Sequence, residues 1–175
     1  MEQQWSMIYS TYSNEVFRFL LYYVGNYEEA EDLTQETFIK VVKNLKKFEG
    51  RSELKTWILT IARNLALDHL RKRKYAQSFA KLLGREPEAK PPLPEDLISS
   101  SERVHALHGA IQTLPDNYRA VVILRGIQEL TPTEAAAVLG WNANKVNVVY
   151  HRAMKSLHKI LEAEGDVTQW IGQTN

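Results

Sequence analysis

Residues 51–74, RSELKTWILTIARNLALDHLRKRK, combine a helical repeat of apolar side chains with the absence of glycine and proline. Ser52 is suited to cap a helix with Glu53 in its first turn, so the pattern predicts one long helix that continues to Lys74. Successive residues lie 100° apart around a helix, which separates two arcs. The apolar arc comprises Leu54, Trp57, Ile58, Ile61, Ala62 and Leu65, and the opposite arc comprises Thr56, Thr60, Arg63, Asn64, Leu67, Arg71 and Lys74.

The same stretch concentrates positive charge. Seven arginines and lysines accompany two acidic residues, so its net charge is +5 in a chain whose formal net charge is +1. Each feature alone is typical of a solvated helix face with a basic end. Together, hydroxyl, amide and guanidinium groups beside a basic run are the residue types that bind phosphates and the edges of unpaired bases.

Composition restricts the class of protein. A chain of 175 residues that is 44% hydrophobic fits one domain or two small ones. The absence of cysteine excludes disulfides and thiolate metal sites and suits a reducing compartment, so we expect a cytoplasmic protein. Residues 1–6 do not resemble a signal peptide, and the apolar run Val16–Val24 is interrupted by Arg18 and is too short to span a bilayer. Apolar residues recur at intervals of three and four residues, which predicts an all-α fold.

Composition also divides the chain into segments. We predict a first domain over residues 1–83, a three-to-four-helix bundle in which Gly25 ends one helix and Asn26 caps the next, with Glu29 completing a variant of the capping box. Residues 84–98 are rich in proline and predict a flexible linker. A second domain is predicted over residues 99–164, followed by a tail, residues 165–175, that contains Trp170.

The second domain has the pattern of a helix-turn-helix. Residues 131–134, TPTE, form a capping box with proline at the first helical position. Gly140 then turns the chain, Asn142 can cap a helix that runs to about Glu162, and this helix has a basic outer face. A plain pair of antiparallel helices is the alternative. The outer face is predicted to comprise Asn144, Asn147, Val148, His151, Arg152, Lys155 and Lys159.

Catalytic chemistry finds no support in the sequence. His105 and His108, with His151 and His158, are the only grounds for a zinc site, and we interpret them as ordinary surface histidines because no cysteine or H-E-x-x-H pattern accompanies them. Phosphate-binding glycine loops and nucleophile elbows are also missing from the sequence. We therefore predict no metal, no cofactor, no small-molecule substrate and no enzymatic activity.

Three motifs resemble those of one family in the same order. Residues 27–41 (YEEAEDLTQETFIKV), 48–74 (FEGRSELKTWILTIARNLALDHLRKRK) and 114–157 (LPDNYRAVVILRGIQELTPTEAAAVLGWNANKVNVVYHRAMKSL) resemble conserved regions 2.2, 2.3 with 2.4, and 4 of the extracytoplasmic-function, or group four, sigma factors of bacterial RNA polymerase. The resemblance implies a transcription initiation factor that binds core polymerase through its β′ and β subunits, directs it to promoter DNA and helps to open the −10 element. It also implies an anti-sigma factor, in this family often membrane-anchored, that could hold the protein at the membrane.

The resemblance also implies three sets of site residues. It assigns Asp32, Gln35 and Glu36 to the β′ coiled coil; Phe48, Arg51 and Asn64 to a pocket for a flipped −10 base, with Arg63, Arg71 and Lys72 on the neighbouring backbone; and Asn144, Lys145, Asn147, His151, Arg152 and Lys155 to the −35 element. At Asn147 and Val149 the chain departs from the family's usual basic continuation of this helix. The alternatives are a helix-turn-helix regulator that acts without polymerase and a nucleic-acid-processing enzyme, and run-off transcription separates all three.

Overall fold

A computed structural model describes residues 2–85 and 102–163, and within these ranges every regular element is helical. The chain divides into two units, Met1–Pro92 and Leu93–Asn175. The prediction of an all-α, two-domain protein with a linker is therefore confirmed. The domain bounds remain predictions. Most of the predicted linker and all of the predicted tail, including Trp170, lie outside the described residues.

The first unit contains three long helices. They are α1 (Glu2–Val24), α2 (Tyr27–Asn44), which continues into a 3₁₀ turn (Leu45–Lys47), and α3 (Leu54–Leu82). Each helix packs against the other two, so their apolar stripes meet in one core. Its buried side chains include Val16, Phe19, Leu20, Tyr23 and Val24 from α1, Ala30, Leu33, Phe38 and Val41 from α2, and Ile58, Leu59, Ala62, Leu65 and Ala66 from α3.

The connection between α1 and α2 follows the prediction at Gly25 and Asn26. Gly25 has a positive φ of 74°, and its N–H donates to the carbonyl of Leu21 at 3.0 Å, which ends α1. The Asn26 side chain then accepts a hydrogen bond from the Glu29 N–H at 2.9 Å and caps α2. The Glu29 carboxylate does not complete the predicted variant of the capping box: it accepts from Arg73 Nη1 at 2.8 Å and lies 3.2 Å from His69 Nε2, so it joins α2 to α3.

The start and the buried face of α3 differ from the prediction. Ser52 is not the cap: Glu53 precedes the first residue of α3 and makes no capping hydrogen bond with its side chain. Thr56, predicted on the outer arc, is only 2% exposed. The apolar arc predicted only part of the contact surface, because α3 packs against both α1 and α2 and therefore buries a wider face. Helix α3 also continues beyond Lys74 to Leu82.

The second unit contains four helices within its described residues. They are α4 (Glu102–Thr113), α5 (Asp116–Val122), which continues into a π-helical turn (Ile123–Ile127), α6 (Pro132–Leu139) and α7 (Ala143–Ala163). Helix α7 contacts α4, α5 and α6 and contributes Val146, Ala153 and Leu157 to the core. His108 is buried against this core, so the prediction that it is a surface histidine is wrong.

The turn of the helix-turn-helix forms as predicted. Thr131 and Glu134 make both hydrogen bonds of a capping box, with Pro132 at the first helical position. Gly140 is left-handed, with φ 68° and ψ 33°, and its N–H donates to the carbonyl of Ala136. Asn142 Oδ1 accepts from the Lys145 N–H at 2.8 Å and so caps α7. These bonds set the angle at which α7 leaves α6.

Glu129, two residues before the capping box, offers a test of how backbone conformation affects stability. Glu129 has φ 56°, which costs an L-residue roughly 1–2 kcal/mol relative to glycine, part of which the flexibility of glycine in the unfolded chain offsets. We expect Glu129→Gly to raise the free energy of unfolding of the second unit by about 0.5 kcal/mol. Gly140→Ala should lower it by roughly 1 kcal/mol, since no atom within 4 Å would obstruct its Cβ and only the backbone is strained.

The measurement is chemical denaturation of the full chain, followed by a probe in the second unit. A lower unfolding midpoint for Glu129→Gly would show that the Glu129 side chain stabilises the turn by more than its backbone conformation costs.

Candidate functional site

The three residues of α2 that were assigned to the polymerase lie together on its outer face. Asp32, Gln35 and Glu36 are exposed, and Glu36 lies 3.8 Å from Lys40 in a weak surface pair. Thr37, one residue further, is buried and donates to the carbonyl of Leu33, which marks the limit of this face. The three predicted residues thus share a solvent-facing surface, with the core on the opposite side of the helix.

An apolar groove adjoins this surface and was not predicted from the sequence. The volume of the groove is about 430 Å³. Two of the aliphatic side chains that line it are exposed, Ile39 at 53% and Val42 at 47%. They lie four and seven residues after Gln35, so they continue its face by helical spacing. That spacing was the available signal. The groove is lined by Trp5, Tyr9, Gln35, Phe38, Ile39, Val42 and Lys43.

The loop between α2 and α3 holds two of the residues assigned to the −10 element. Phe48 is half-buried and packs on Trp57, with ring centroids 5.1 Å apart and an interplanar angle of 45°. Gly50 has φ 69°, and Arg51 is highly exposed and pairs with Glu49 at 2.6 Å. The Phe48 ring is therefore partly exposed to solvent and partly covered by Trp57.

The remaining residues assigned to the −10 element lie on α3. Asn64, Arg71 and Lys72 are exposed, whereas Arg63 is half-buried at the edge of the face. Arg71 lies 3.4 Å from Asp68 in an exposed pair that competes little with a phosphate. Arg73, in the same basic run, points the other way, onto Glu29. The fold thus divides the basic run between a structural arginine and outward cations.

The outer face of α7 has the composition predicted for it. The six side chains assigned to the −35 element are all exposed. Lys145 is held in place by its neighbour, since its ammonium lies 4.5 Å from the centroid of the Trp141 ring in the turn before α7. The six are Asn144, Lys145, Asn147, His151, Arg152 and Lys155.

Two further features are absent from the described residues. No group of three or more histidine, cysteine, aspartate or glutamate side chains could hold a metal ion within residues 2–85 and 102–163. Among the helices described, none is both long enough and apolar enough to cross a membrane.

Comparison with known proteins defines the class. The family model of sigma-70 region 2 matches residues 8–75, and that of sigma-70 region 4 matches residues 105–157, so each unit of the structure carries one conserved region of sigma-70 proteins. The chain is 35% identical over 168 residues to the ECF RNA polymerase sigma factor SigX of Bacillus subtilis, covering 93% of this chain and 86% of that relative. It is 33% identical to ECF sigma factor SigW of the same organism, covering 88% and 87%.

The chain belongs to the extracytoplasmic-function (ECF) sigma factors of the sigma-70 family, which are RNA polymerase subunits for transcription initiation and not enzymes. Its fold resembles that of the sigma factor RpoE of Bartonella quintana, solved in complex with the anti-sigma factor NepR, with a TM-score of 0.76, 24% identity and coverage of 93% and 99%. It also resembles CnrH in complex with the cytosolic domain of CnrY, with a TM-score of 0.70, 20% identity and coverage of 94% and 91%.

Proposed function

We propose that this ECF sigma factor divides its work among three surfaces. The outer face of α2 binds core polymerase, the loop before α3 and the outer face of α3 hold an unpaired base of the −10 element, and α7 reads the −35 element in the major groove. The observation that carries the proposal is the position of Asn64, exposed on α3 with Arg71 and Lys72 and opposite the buried face.

The polymerase surface combines charge with apolar contact. Asp32 and Glu36 supply carboxylates that would pair with a basic partner, and the groove beside Gln35 would accept apolar side chains from the same partner. An arrangement of charge around an apolar centre is typical of protein interfaces. We assign this partner to the coiled coil of the β′ subunit, with further contacts to the β subunit.

Base capture at α3 rests on complementary groups. The Asn64 amide offers one donor and one acceptor to a base edge, and Arg71 and Lys72 offer charge to the flanking phosphates. A base removed from its duplex loses stacking energy, which an aromatic ring can replace. Phe48 supplies such a ring, and its contact with Trp57 would orient it.

The −35 element is assigned to α7. Asn144 and Asn147 near the start of the helix can hydrogen-bond base edges, while Arg152 and Lys155 can contact bases or phosphates. The Trp141 ring restricts Lys145 and so lowers the entropy lost when its ammonium binds DNA. Asn147 replaces a cation of the usual family pattern, so phosphate contacts there are weaker and base contacts more important.

Regulation by an anti-sigma factor is part of the proposal. Both structural neighbours described above were solved with a regulatory protein bound, NepR on RpoE and the cytosolic domain of CnrY on CnrH. We propose that this chain acts in the cytoplasm and that a comparable inhibitor, free or membrane-anchored, covers its polymerase-binding or DNA-binding surfaces until a signal releases it.

Asn64→Ala is expected to slow open-complex formation by the holoenzyme by roughly five- to 150-fold, because the loss of paired hydrogen bonds to a base costs about 1–3 kcal/mol. Binding to core polymerase should not change. The measurement is run-off transcription and open-complex formation, on a promoter that the holoenzyme selects from genomic fragments. Each variant is tested on the intact duplex and on one whose −10 bases are already unpaired.

Lys155→Ala is the matched control, since this exposed cation lies in the other unit. It should weaken initiation only on promoters that keep the −35 element. If Asn64→Ala performs like the parent on both templates, the base pocket is wrongly assigned. If the chain without polymerase recognises the promoter with nanomolar affinity, it is an independent regulator instead.

A further inference from the structure

Helix α3 continues for two turns beyond the basic run and carries apolar side chains outward. Tyr75 is 77% exposed, Phe79 is 65% exposed and Leu82 is 84% exposed. The last buried side chain of the helix is Leu70, so this end contributes little to the core. Large apolar side chains that are this exposed indicate a surface that interacts with another molecule.

These side chains share a face with the residues assigned to the −10 element. At 100° per residue, Tyr75 lies within about 20° of Asn64, and Phe79 lies a further 40° around the helix. Arg71 and Lys72 flank this line from the turn before Tyr75. The face therefore runs from Asn64 to Phe79 over about 22 Å at 1.5 Å per residue, and it also carries Asp68, whose carboxylate lies 3.4 Å from Arg71. The core lies on the opposite side, at Ala62 and Ala66.

Positive charge predominates in the sequence that carries the two rings. Residues 71–85 contain six arginines and lysines and no acidic residue. Arg73 is bound to Glu29, whereas Arg71 and Lys72 are exposed and lie four and three residues before Tyr75, so they flank the rings by helical spacing. Cations beside exposed rings attract phosphates.

We propose that Tyr75 and Phe79 form a stacking platform for single-stranded DNA, which extends the base pocket along α3. The inference rests on the proposed capture of a −10 base by Asn64. Exposed rings one helical turn apart beside cations are the arrangement that binds unpaired bases, because each base offers its flat face to a ring and its phosphate to a cation. In a duplex these faces are stacked on each other, so the platform selects the melted strand. The sigma-70 region 2 model ends at residue 75, so Phe79 lies beyond it.

The experiment compares variants of the full chain, bound to core polymerase, on a promoter fork whose −10 strand is unpaired and on the intact duplex. Tyr75→Ala with Phe79→Ala should weaken binding to the fork at least about 25-fold, since stacking on each ring contributes at least about fivefold. The initial closed complex on the duplex should change less than about twofold. Tyr75→Phe with Phe79→Trp keeps both rings and should bind the fork like the parent.

Leu82→Ala is the matched control, because Leu82 is apolar and exposed on the same face but has no ring for a base to stack on. It should not change fork binding. The proposal is overturned if the double alanine variant binds the fork like the parent. It is also overturned if Leu82→Ala loses as much, or if the affinity for core polymerase falls with both, because the face would then bind a protein.

Asn64→Ala, tested on the same fork, separates this inference from the proposed function. Loss with Asn64→Ala and none with the double alanine variant would leave the base pocket intact and remove only the platform. Normal binding by all variants would reject the base pocket and the platform together.

Discussion

Replacing Asp32 and Glu36 together by lysine is expected to weaken binding to core polymerase by at least about 100-fold. Both carboxylates are exposed on the outer face of α2, and the change turns attraction to a basic partner into repulsion, which costs several kcal/mol at an interface. The free protein should keep its stability within roughly ±0.5 kcal/mol for each change, because only an exposed pair with Lys40 is lost. Affinity is measured by titrating labelled core polymerase.

A graded control separates charge from shape. Asp32→Asn with Glu36→Gln keeps the size of both side chains and should give a smaller loss, and the loss for the lysine variant should shrink as salt increases. Promoter selectivity of whatever holoenzyme forms should be unchanged, since α3 and α7 are untouched. If the lysine variant binds core polymerase like the parent, α2 does not face the polymerase.

Phe38→Ala is expected to destabilise the first unit by about 3–5 kcal/mol. The ring is 1% exposed and contacts Trp5 and Tyr9 edge-on, with centroids 5.8 and 4.9 Å away, so truncation leaves a cavity beneath both. Domains of this kind are stable by only about 5–15 kcal/mol, so much of that stability would be lost. The second unit, which has its own core, should unfold at the same denaturant concentration as before.

Hydrogen exchange followed separately in the two units distinguishes these outcomes. The matched control is Phe79→Ala: the same truncation at a ring that is 65% exposed should change stability by less than about 0.5 kcal/mol. Equal destabilisation of both units by Phe38→Ala would mean that the chain unfolds as a single cooperative structure.

The main elements of the fold were predictable because their signals are local. The capping box at Thr131 and Glu134, the glycine ends at Gly25 and Gly140, and the caps at Asn26 and Asn142 each depend on residues within four positions of one another. Ser52 has a side chain suited to capping, but it does not cap α3. The helix begins one residue later than predicted, so Glu53 occupies the capping position.

The candidate sites were predictable only in part. Helical spacing placed the acidic face of α2 and the outer face of α7 correctly as exposed surfaces, since each helix buries one principal stripe. It missed the groove lined by Ile39 and Val42, because Trp5 and Tyr9 of α1 also line this groove and the spacing within α2 does not show which helix lies beside it. The sequence pattern also predicted that α3 ends at Lys74, before the exposed rings of Tyr75 and Phe79.

Sequence by itself determined the positions of most helices, their caps and turns, the division of the chain and the family motifs, because each is encoded in short-range spacing and composition. Tertiary structure alone decided which sides of α3 are buried, that Thr56 belongs to the core, and that Glu29 binds Arg73 across 44 residues of sequence. It also left Tyr75 and Phe79 exposed. The physical reason is that burial and ion pairing depend on which neighbouring helices come within contact distance, and no periodicity within one helix contains that information.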